Sequence, residues 1–198
     1  MLPNSIKNFV DIFSKLPGIG PRQATRLAFK MIASGKNKIE ETAKAVLELE
    51  NIKLCSQCFF IHSNTDSLCD ICKNPSRRKD IIMIVEKETD VISLERAKKF
   101  NGRYLVLNEL TKSGILESIQ KLRLNNLKTF IKKNGGQAEE IIIATNPTTH
   151  GDLNAMIIAK ELEGLAKKIT RLGRGIPTGG EIEFADEETL SSALERRI

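Results

Sequence analysis

Several residue types and patterns are scarce in this chain of 198 residues. It has no tryptophan, one tyrosine and four cysteines. No apolar run approaches the roughly 20 residues needed to cross a bilayer. The N-terminal stretch MLPNSIKNFV lacks the basic-then-apolar layout of a signal peptide. These absences argue against a membrane-spanning or secreted protein, and we expect a cytoplasmic one.

A nucleotide-binding loop of the Walker type is also missing. No G-x-x-x-x-G-K-[ST] pattern occurs, and the glycine-rich stretch GIPTGGEIEF contains no lysine that could contact a phosphate. We therefore expect no ATP site of that kind.

Composition and charge leave several protein classes open. The hydrophobic content of 40% and charged content of 28% are those of an ordinary globular protein. The net charge of +6 is concentrated at the start, because residues 1–53 contain 9 Lys and Arg against 5 Asp and Glu. This excess is consistent with nucleic-acid binding but does not establish it.

The four cysteines form two C-x2-C pairs, Cys55 with Cys58 and Cys69 with Cys72, separated by ten residues. Two such pairs let four thiolates surround one Zn²⁺ at about 2.3 Å. A redox dithiol needs only one pair, and disulfides are disfavoured in a reducing cytosol. We predict one structural zinc ion per chain with no open coordination position. His62, between the pairs, is expected to be a solvated loop residue and not a ligand.

The first 53 residues have the apolar spacing of three helices, SIKNFVDIFSKL, PRQATRLAFKMIA and, roughly, KIEETAKAVLELENI. Gly18 and Gly20 lie between the first two and favour a tight hairpin with uncovered backbone N–H groups. A helix N-terminus that follows such a hairpin favours an anion.

Basic side chains continue along the second helix. Arg22, Arg26 and Lys30 recur every four residues, which places them on one face. Together with Gly18 and Gly20 they predict contacts to the DNA backbone without sequence readout. A simple helix–helix turn with a solvated basic face is the alternative.

From residue 80 the chain alternates between strand-like and helical stretches, which predicts a parallel sheet covered by helices. A glycine-rich tail ends in a short helix, EETLSSALERR. The predicted strands are 81–86, 103–107, 140–145 and 168–172, and the predicted helices lie near 89–99, 115–133 and 152–166.

Polar residues follow two of these strands. Glu86 ends the first, and Asp90 lies one helical turn later. The arrangement is similar to a Toprim site, in which a glutamate and a later Asp-x-Asp hold Mg²⁺. Here the Asp-x-Asp positions read Asn146-Pro147-Thr148, and neutral oxygens are poor substitutes for carboxylates around Mg²⁺. We predict that the chain is not an enzyme.

In this order, the motifs resemble those of the RecR family of bacterial recombination mediators. LPGIGPRQATRLAF, the paired cysteines with CKNPSR, VEKETDV, FNGRYLVL, ATNPT and RGIPTGGEIE stand where that family's motifs would, across essentially the whole chain. The resemblance implies an α/β protein with an N-terminal helix-hairpin-helix, a four-cysteine zinc element, a Toprim-like parallel sheet and a C-terminal glycine-rich arm. The expected ranges are 1–53, 54–76, 77–172 and 173–198, and the last is expected at a subunit interface.

The resemblance also implies a function. A member of this family would be a homo-oligomer, dimer or ring tetramer, that binds DNA and helps RecO-type and RecF-type proteins load recombinase at single-stranded gaps without turnover. It implies that Glu86, Asp90 and Asp152 form an acidic surface for partners. The chain departs from the family pattern at His150, where a carboxylate is expected, and we expect His150 to be a solvated turn residue.

Two other functions stay open at this point. An active Toprim enzyme, such as a small nuclease or primase accessory, would use Glu86, Asp90 and Asp152 with Mg²⁺, and the neutral Asn146-Pro147-Thr148 triplet argues against it. A zinc-containing scaffold that binds only proteins would not need the glycine hairpin or its basic helix.

Overall fold

The computed structural model describes residues 2–195 and 197. The chain divides into two compact units, Met1–Ile52 and Lys53–Ile198. No helix within the described ranges is long and apolar enough to cross a membrane.

Three helices build the first unit, as the apolar spacing predicts. The second begins at a proline, which lacks the N–H that the first turn of a helix leaves unpaired. The first and second helices pack together, and the rings of Phe9 and Phe13 stack at 3.9 Å between centroids. The elements are α1 (Asn4–Phe13), α2 (Pro21–Ala33), α3 (Lys36–Glu48) and a 3-10 turn at Leu49–Asn51.

This unit leaves much of its apolar surface open. Among its described residues, only Ala24 and Ala28 are buried. An apolar groove of about 520 Å³ runs between the helices and includes Phe9, Ile32 and Val46 in its lining. So short a segment cannot bury all of its apolar side chains in a core of its own.

The second unit opens with a small element that carries the cysteines. β1 (Lys53–Leu54) and β2 (Ile61–His62) pair antiparallel, and α4 (Asp70–Lys73) follows. The hairpin carries the first cysteine pair, and of the second pair Cys69 is the N-cap of α4 and Cys72 is its third residue.

The expectation that His62 is a solvated loop residue was wrong. The residue lies on β2 and is 8% exposed. Strand alternation turns Ile61 outward and His62 inward. Its Nδ1 accepts a hydrogen bond from the backbone N–H of Asn64 at 3.2 Å.

Four parallel strands form the sheet of the second unit, in the order β4-β3-β5-β6. Each consecutive pair is connected through a helix, so the predicted βα alternation is confirmed, with element ends that differ from prediction by up to five residues. The elements are β3 (Ile81–Val85), α5 (Glu88–Arg96), β4 (Arg103–Val106), α6 (Ser118–Lys133), β5 (Ala138–Ala144), α7 (Thr149–Glu161) and β6 (Ala166–Arg171).

Both faces of this sheet are covered, which explains the continuous apolar runs of its strands. On one face, strand residues such as Ile84 pack against Leu124 of α6 and Ile158 of α7. On the other, Val85 packs against Val91 of α5. The carboxyl ends of β3 and β5 therefore open at one edge between helix layers, which is where ligands bind in open α/β sheets.

The tail is extended and then helical. A 3-10 turn at Ile182–Phe184 precedes α8 (Glu187–Glu195). The predicted closing helix ran to Arg197, but α8 ends at Glu195, and Arg196 lies outside the described residues. Within the turn, Ile182 is 68% exposed and Phe184 is 80% exposed.

Candidate functional site

The four cysteines come together in a buried cluster. Cys55, Cys58, Cys69 and Cys72 are between 0% and 6% exposed, and their Sγ atoms lie within 4.8 Å of one another. The Sγ atoms of Cys58 and Cys69 are 3.5 Å apart, well beyond the roughly 2.05 Å of a disulfide. All four are free thiols.

This arrangement fits a tetrahedral metal ion. Four sulfurs at about 2.3 Å from one Zn²⁺ would be about 3.8 Å from each other, close to the spacing of the cluster. No other group of three or more His, Cys, Asp or Glu ligands is assembled within residues 2–195 and 197, and His62 is not part of this one. The cluster could therefore hold one metal ion with four sulfur ligands.

The cysteine element is joined to the outer edge of the sheet. The backbone N–H of Val106 on β4 donates to the carbonyl of Cys58 at 2.8 Å. The guanidinium of Arg103, at the start of β4, donates to the carbonyl oxygens of Ile71 and Cys72. An edge strand exposes unpaired backbone groups, and here the cysteine element pairs with one of them, the N–H of Val106.

In the first unit, the predicted hairpin is present between α1 and α2. Gly18 has a φ of +77°, a conformation that L side chains rarely adopt. The N–H of Ile19 donates to the carbonyl of Leu16 at 3.1 Å and closes the turn. Gly20 is the N-cap of α2, and no side chain caps this terminus. The amides of the first turn therefore have no capping side chain as a partner.

The predicted basic residues lie on α2 directly after this hairpin. Arg22, Arg26 and Lys30 are all exposed, and none forms a salt bridge within the part of the chain that the structure describes. Ala24 and Ala28 occupy the buried side of the same helix. The basic face is thus free to contact an anionic partner.

Glu86 lies at the sheet edge where a Toprim metal would bind, but its oxygens are engaged by an amide. Oε1 accepts from the backbone N–H of Asn146 at 3.1 Å, and Oε2 accepts from its Nδ2 at 3.4 Å. Asn146 thus donates to the glutamate. An aspartate at 146 would have no such side-chain donor and would face Glu86 with a second negative charge.

The second Asp position of the triplet, Thr148, also has a structural role. Thr148 is the N-cap of α7, and its Oγ1 accepts from the N–H of Gly151 at 3.1 Å. A Cβ on Gly151 would lie 1.9 Å from the carbonyl oxygen of Asn146. His150 is exposed, as expected, although it lies in the first turn of α7 and not in a free turn.

Asp90 and Asp152 do not join Glu86 in one cluster. The carboxylate of Asp90 accepts from the backbone N–H of Lys87 at 2.9 Å and so caps α5. Asp152 forms salt bridges with Arg171, at 2.7 Å, and with Arg174. Desolvation raises the pKa of Asp152, but the hydrogen bonds and charges of the two arginines outweigh it and hold that pKa below its usual range.

Arg171 and Arg174 were not among the residues predicted from the sequence. Arg171 ends β6, and Arg174 lies three residues later and also pairs with Glu188 of α8. The motif TRLGRG, with one arginine at the end of a predicted strand and another three residues later, was the available indication. These arginines connect the sheet edge to the C-terminal helix.

Comparisons with known proteins agree with this architecture. Residues 6–49 match the family model described as RecR, helix-hairpin-helix, and residues 175–198 match RecR, C-terminal. Residues 80–173 match the Toprim domain. The chain is 41% identical to the recombination protein RecR of two strains of Clostridium perfringens, over 98% of its own length and 96% of theirs.

Proposed function

This chain belongs to the RecR family of recombination proteins, and we propose that it is a non-catalytic DNA-binding mediator that acts in DNA repair. The observation that carries the proposal is the exposed basic face of α2 beside an uncapped hairpin, in a chain with this family membership. The proposed place of action is the cytoplasm, where a RecR protein would meet its DNA.

Contact with DNA would begin at the hairpin. The first-turn amides of α2 and the positive end of its helix dipole favour a phosphate. Arg22, Arg26 and Lys30 would extend the contact to neighbouring phosphates. Phosphate contacts position a protein without reading bases, so binding would be independent of sequence.

Absence of turnover is the second part of the proposal. Phosphoryl transfer in a Toprim enzyme needs carboxylates that gather around Mg²⁺. Here Glu86 accepts hydrogen bonds from Asn146, and Asp152 is paired with two arginines. The rival reading, an Mg²⁺-dependent enzyme built on Glu86, Asp90 and Asp152, would require these contacts to be broken and the carboxylates to converge.

For the cysteine cluster we propose Zn²⁺, one ion per chain, held by Cys55, Cys58, Cys69 and Cys72. Zinc suits four thiolates in a closed tetrahedral site and has no redox chemistry of its own. When bound, the ion would supply folding free energy to an element too small for its own apolar core.

Assembly with other chains is the third part. We propose a homo-oligomer, dimer or ring tetramer, because the apolar groove of the first unit and the exposed Ile182 and Phe184 of the arm would be covered by further copies. The expected division into ranges 1–53, 54–76, 77–172 and 173–198 assigns DNA binding to the first and a subunit contact to the last.

Protein partners would meet the sheet edge. We propose that Glu86, Asp90 and Asp152 attract a basic partner to this edge, although Glu86 is buried and the other two carboxylates are only partly exposed. Charge complementarity of this kind guides association. We propose RecO-type and RecF-type proteins as those partners and the loading of recombinase at single-stranded gaps as the outcome.

Light scattering of the purified chain with and without a gapped duplex tests assembly and DNA binding together. We expect a particle larger than one chain, and a further mass increase when the DNA is added. A monomer at every concentration would contradict the oligomer, and no complex with DNA at low salt would contradict the central proposal.

A further inference from the structure

Arg103 is a buried cation whose charge has no carboxylate partner. The residue is 5% exposed and forms no salt bridge with the described part of the chain. Its guanidinium donates to the carbonyl oxygens of Ile71 at 3.2 Å, of Cys72, and of Asn74 at 3.4 Å. Burying a charge without a counter-charge is costly, so a negative counter-charge is expected near Arg103.

The carbonyls that Arg103 contacts belong to the second cysteine pair and its helix. All three lie within two residues of Cys72 in the chain, and Cys72 itself supplies one of them. The cysteine cluster would provide the missing charge, because four thiolates around one Zn²⁺ have a net charge of −2. Burial of the cluster keeps solvent from offsetting that charge.

A second buried arginine lies beside the first cysteine pair. Arg123 of α6 is 5% exposed, and its guanidinium lies 4.9 Å from the centre of the Phe59 ring. It donates to the carbonyl of Val106 at 2.9 Å, and Val106 in turn donates to Cys58. Burial lowers the pKa of Arg123, opposed only by the charge of Glu88, with which it forms no salt bridge.

We propose that Arg103, supported by Arg123, is the counter-charge of the metal–thiolate centre and thereby sets its metal affinity. The inference rests on the proposed zinc site. It makes Arg103 a positioning residue that acts through Cys72: it orients the carbonyls of the second pair and offsets the negative charge of the centre. Groups of this kind, outside the ligands themselves, change metal affinity by about 10–100-fold when removed.

Arg77 is a matched control because its charge is already balanced. Its side chain is 13% exposed, and it pairs with Glu95, which also accepts from the hydroxyl of Tyr104 at 2.7 Å. Arg77 donates to the carbonyl of Gly102 at 3.3 Å, so it is anchored next to Arg103 in the chain. Its removal should therefore cost stability without removing a counter-charge from the thiolates.

The test is zinc affinity of the full chain, measured by competition with a chromogenic chelator, alongside the melting temperature. We expect Arg103→Gln to weaken zinc binding by about 10–100-fold. Arg77→Gln should keep the wild-type affinity even where its melting temperature falls. Arg103→Lys, which keeps the charge, should bind zinc more tightly than Arg103→Gln.

Three results would each overturn the proposal. Arg103→Gln could bind zinc with wild-type affinity, or Arg77→Gln could lose as much zinc affinity as Arg103→Gln. Arg103→Lys could also lose as much zinc affinity as Arg103→Gln. If Arg103→Gln does not fold, Arg123→Gln replaces it against the same control, and unchanged affinity there overturns the proposal. A wild-type chain that binds no zinc would instead remove the zinc assignment itself, so the two failures are distinguishable.

Discussion

The cysteine cluster and the acidic edge of the sheet, formed by Glu86, Asp90 and Asp152, differ in what their side chains contact. Four thiols converge within 4.8 Å in a buried place. The three carboxylates of the edge are each engaged by a different group of the same chain: Glu86 by Asn146, Asp90 by a backbone N–H, and Asp152 by arginines. Thiols that converge without other partners indicate a metal site, whereas the three carboxylates are paired separately and are not assembled around a common point.

The largest expected effect is on the cluster. Cys58→Ser removes one of four ligands, and structural zinc contributes about 10–16 kcal/mol to the folding of small zinc elements. We expect protein without stoichiometric zinc that is poorly soluble or unfolded, as judged by metal analysis and circular dichroism. Ser56→Ala, at an exposed neighbouring position, should behave as wild type. Full helicity and an unchanged melting temperature in zinc-free Cys58→Ser would show that the cluster does not need metal.

Loss of basic side chains from α2 should have the next largest effect, on DNA binding. Arg22→Ala with Arg26→Ala should weaken binding equally for unrelated DNA sequences and lower the salt slope by roughly two, one for each lost phosphate contact. Fluorescence anisotropy across a salt series measures both. Lys36→Ala with Lys44→Ala removes the same charge from α3 and should leave the slope nearly unchanged. Normal binding by the α2 double variant at every salt concentration would contradict a DNA-binding role for this face.

Loss of the Asp152 charge should have a smaller effect, here measured on stability. Its side chain is 34% exposed, so its pairing with Arg171 and Arg174 contributes at most about 1 kcal/mol. Because its pKa is lowered in the fold, this contribution is present above the unfolded pKa, about 3.9, and is lost as pH falls through the folded pKa.

The free energies of unfolding of wild type and Asp152→Asn, measured with denaturant, should therefore differ near pH 7 and become equal in strong acid. Glu163→Gln, an exposed carboxylate outside the salt bridges, is the control. A difference that persists unchanged at low pH would mean that the ion pairs are not its cause.

The sequence predicted the fold well where patterns are local and repeated. The two C-x2-C pairs, the apolar strands and the glycine hairpin each depend on residues close in the chain, and their fold elements were found as predicted. His62 was misjudged because its burial depends on pairing of β2 with β1, which a two-residue strand does not reveal. Arg171, the last residue of β6, and Arg103, the first residue of β4, were missed because one charged residue at a strand terminus does not reveal its partner.

At the acidic edge too, sequence predicted positions in the chain but not the contacts between side chains. Glu86 was correctly placed at the end of a strand, but sequence could not show which groups would pair with it or with Asp152. Asn146 reads as a lost metal ligand, and only its position opposite Glu86 shows that it is also a hydrogen-bond donor.

The central claim is that this chain binds DNA and does not cut, join or polymerise it. The most direct measurement incubates the wild-type chain and Glu86→Ala with gapped DNA in Mg²⁺ or Mn²⁺, and follows binding by anisotropy and the strands by denaturing electrophoresis. We predict that both proteins bind the DNA and leave it unchanged. Metal-dependent nicking that accompanies the wild-type chain and disappears in Glu86→Ala would contradict the account and favour an active Toprim enzyme.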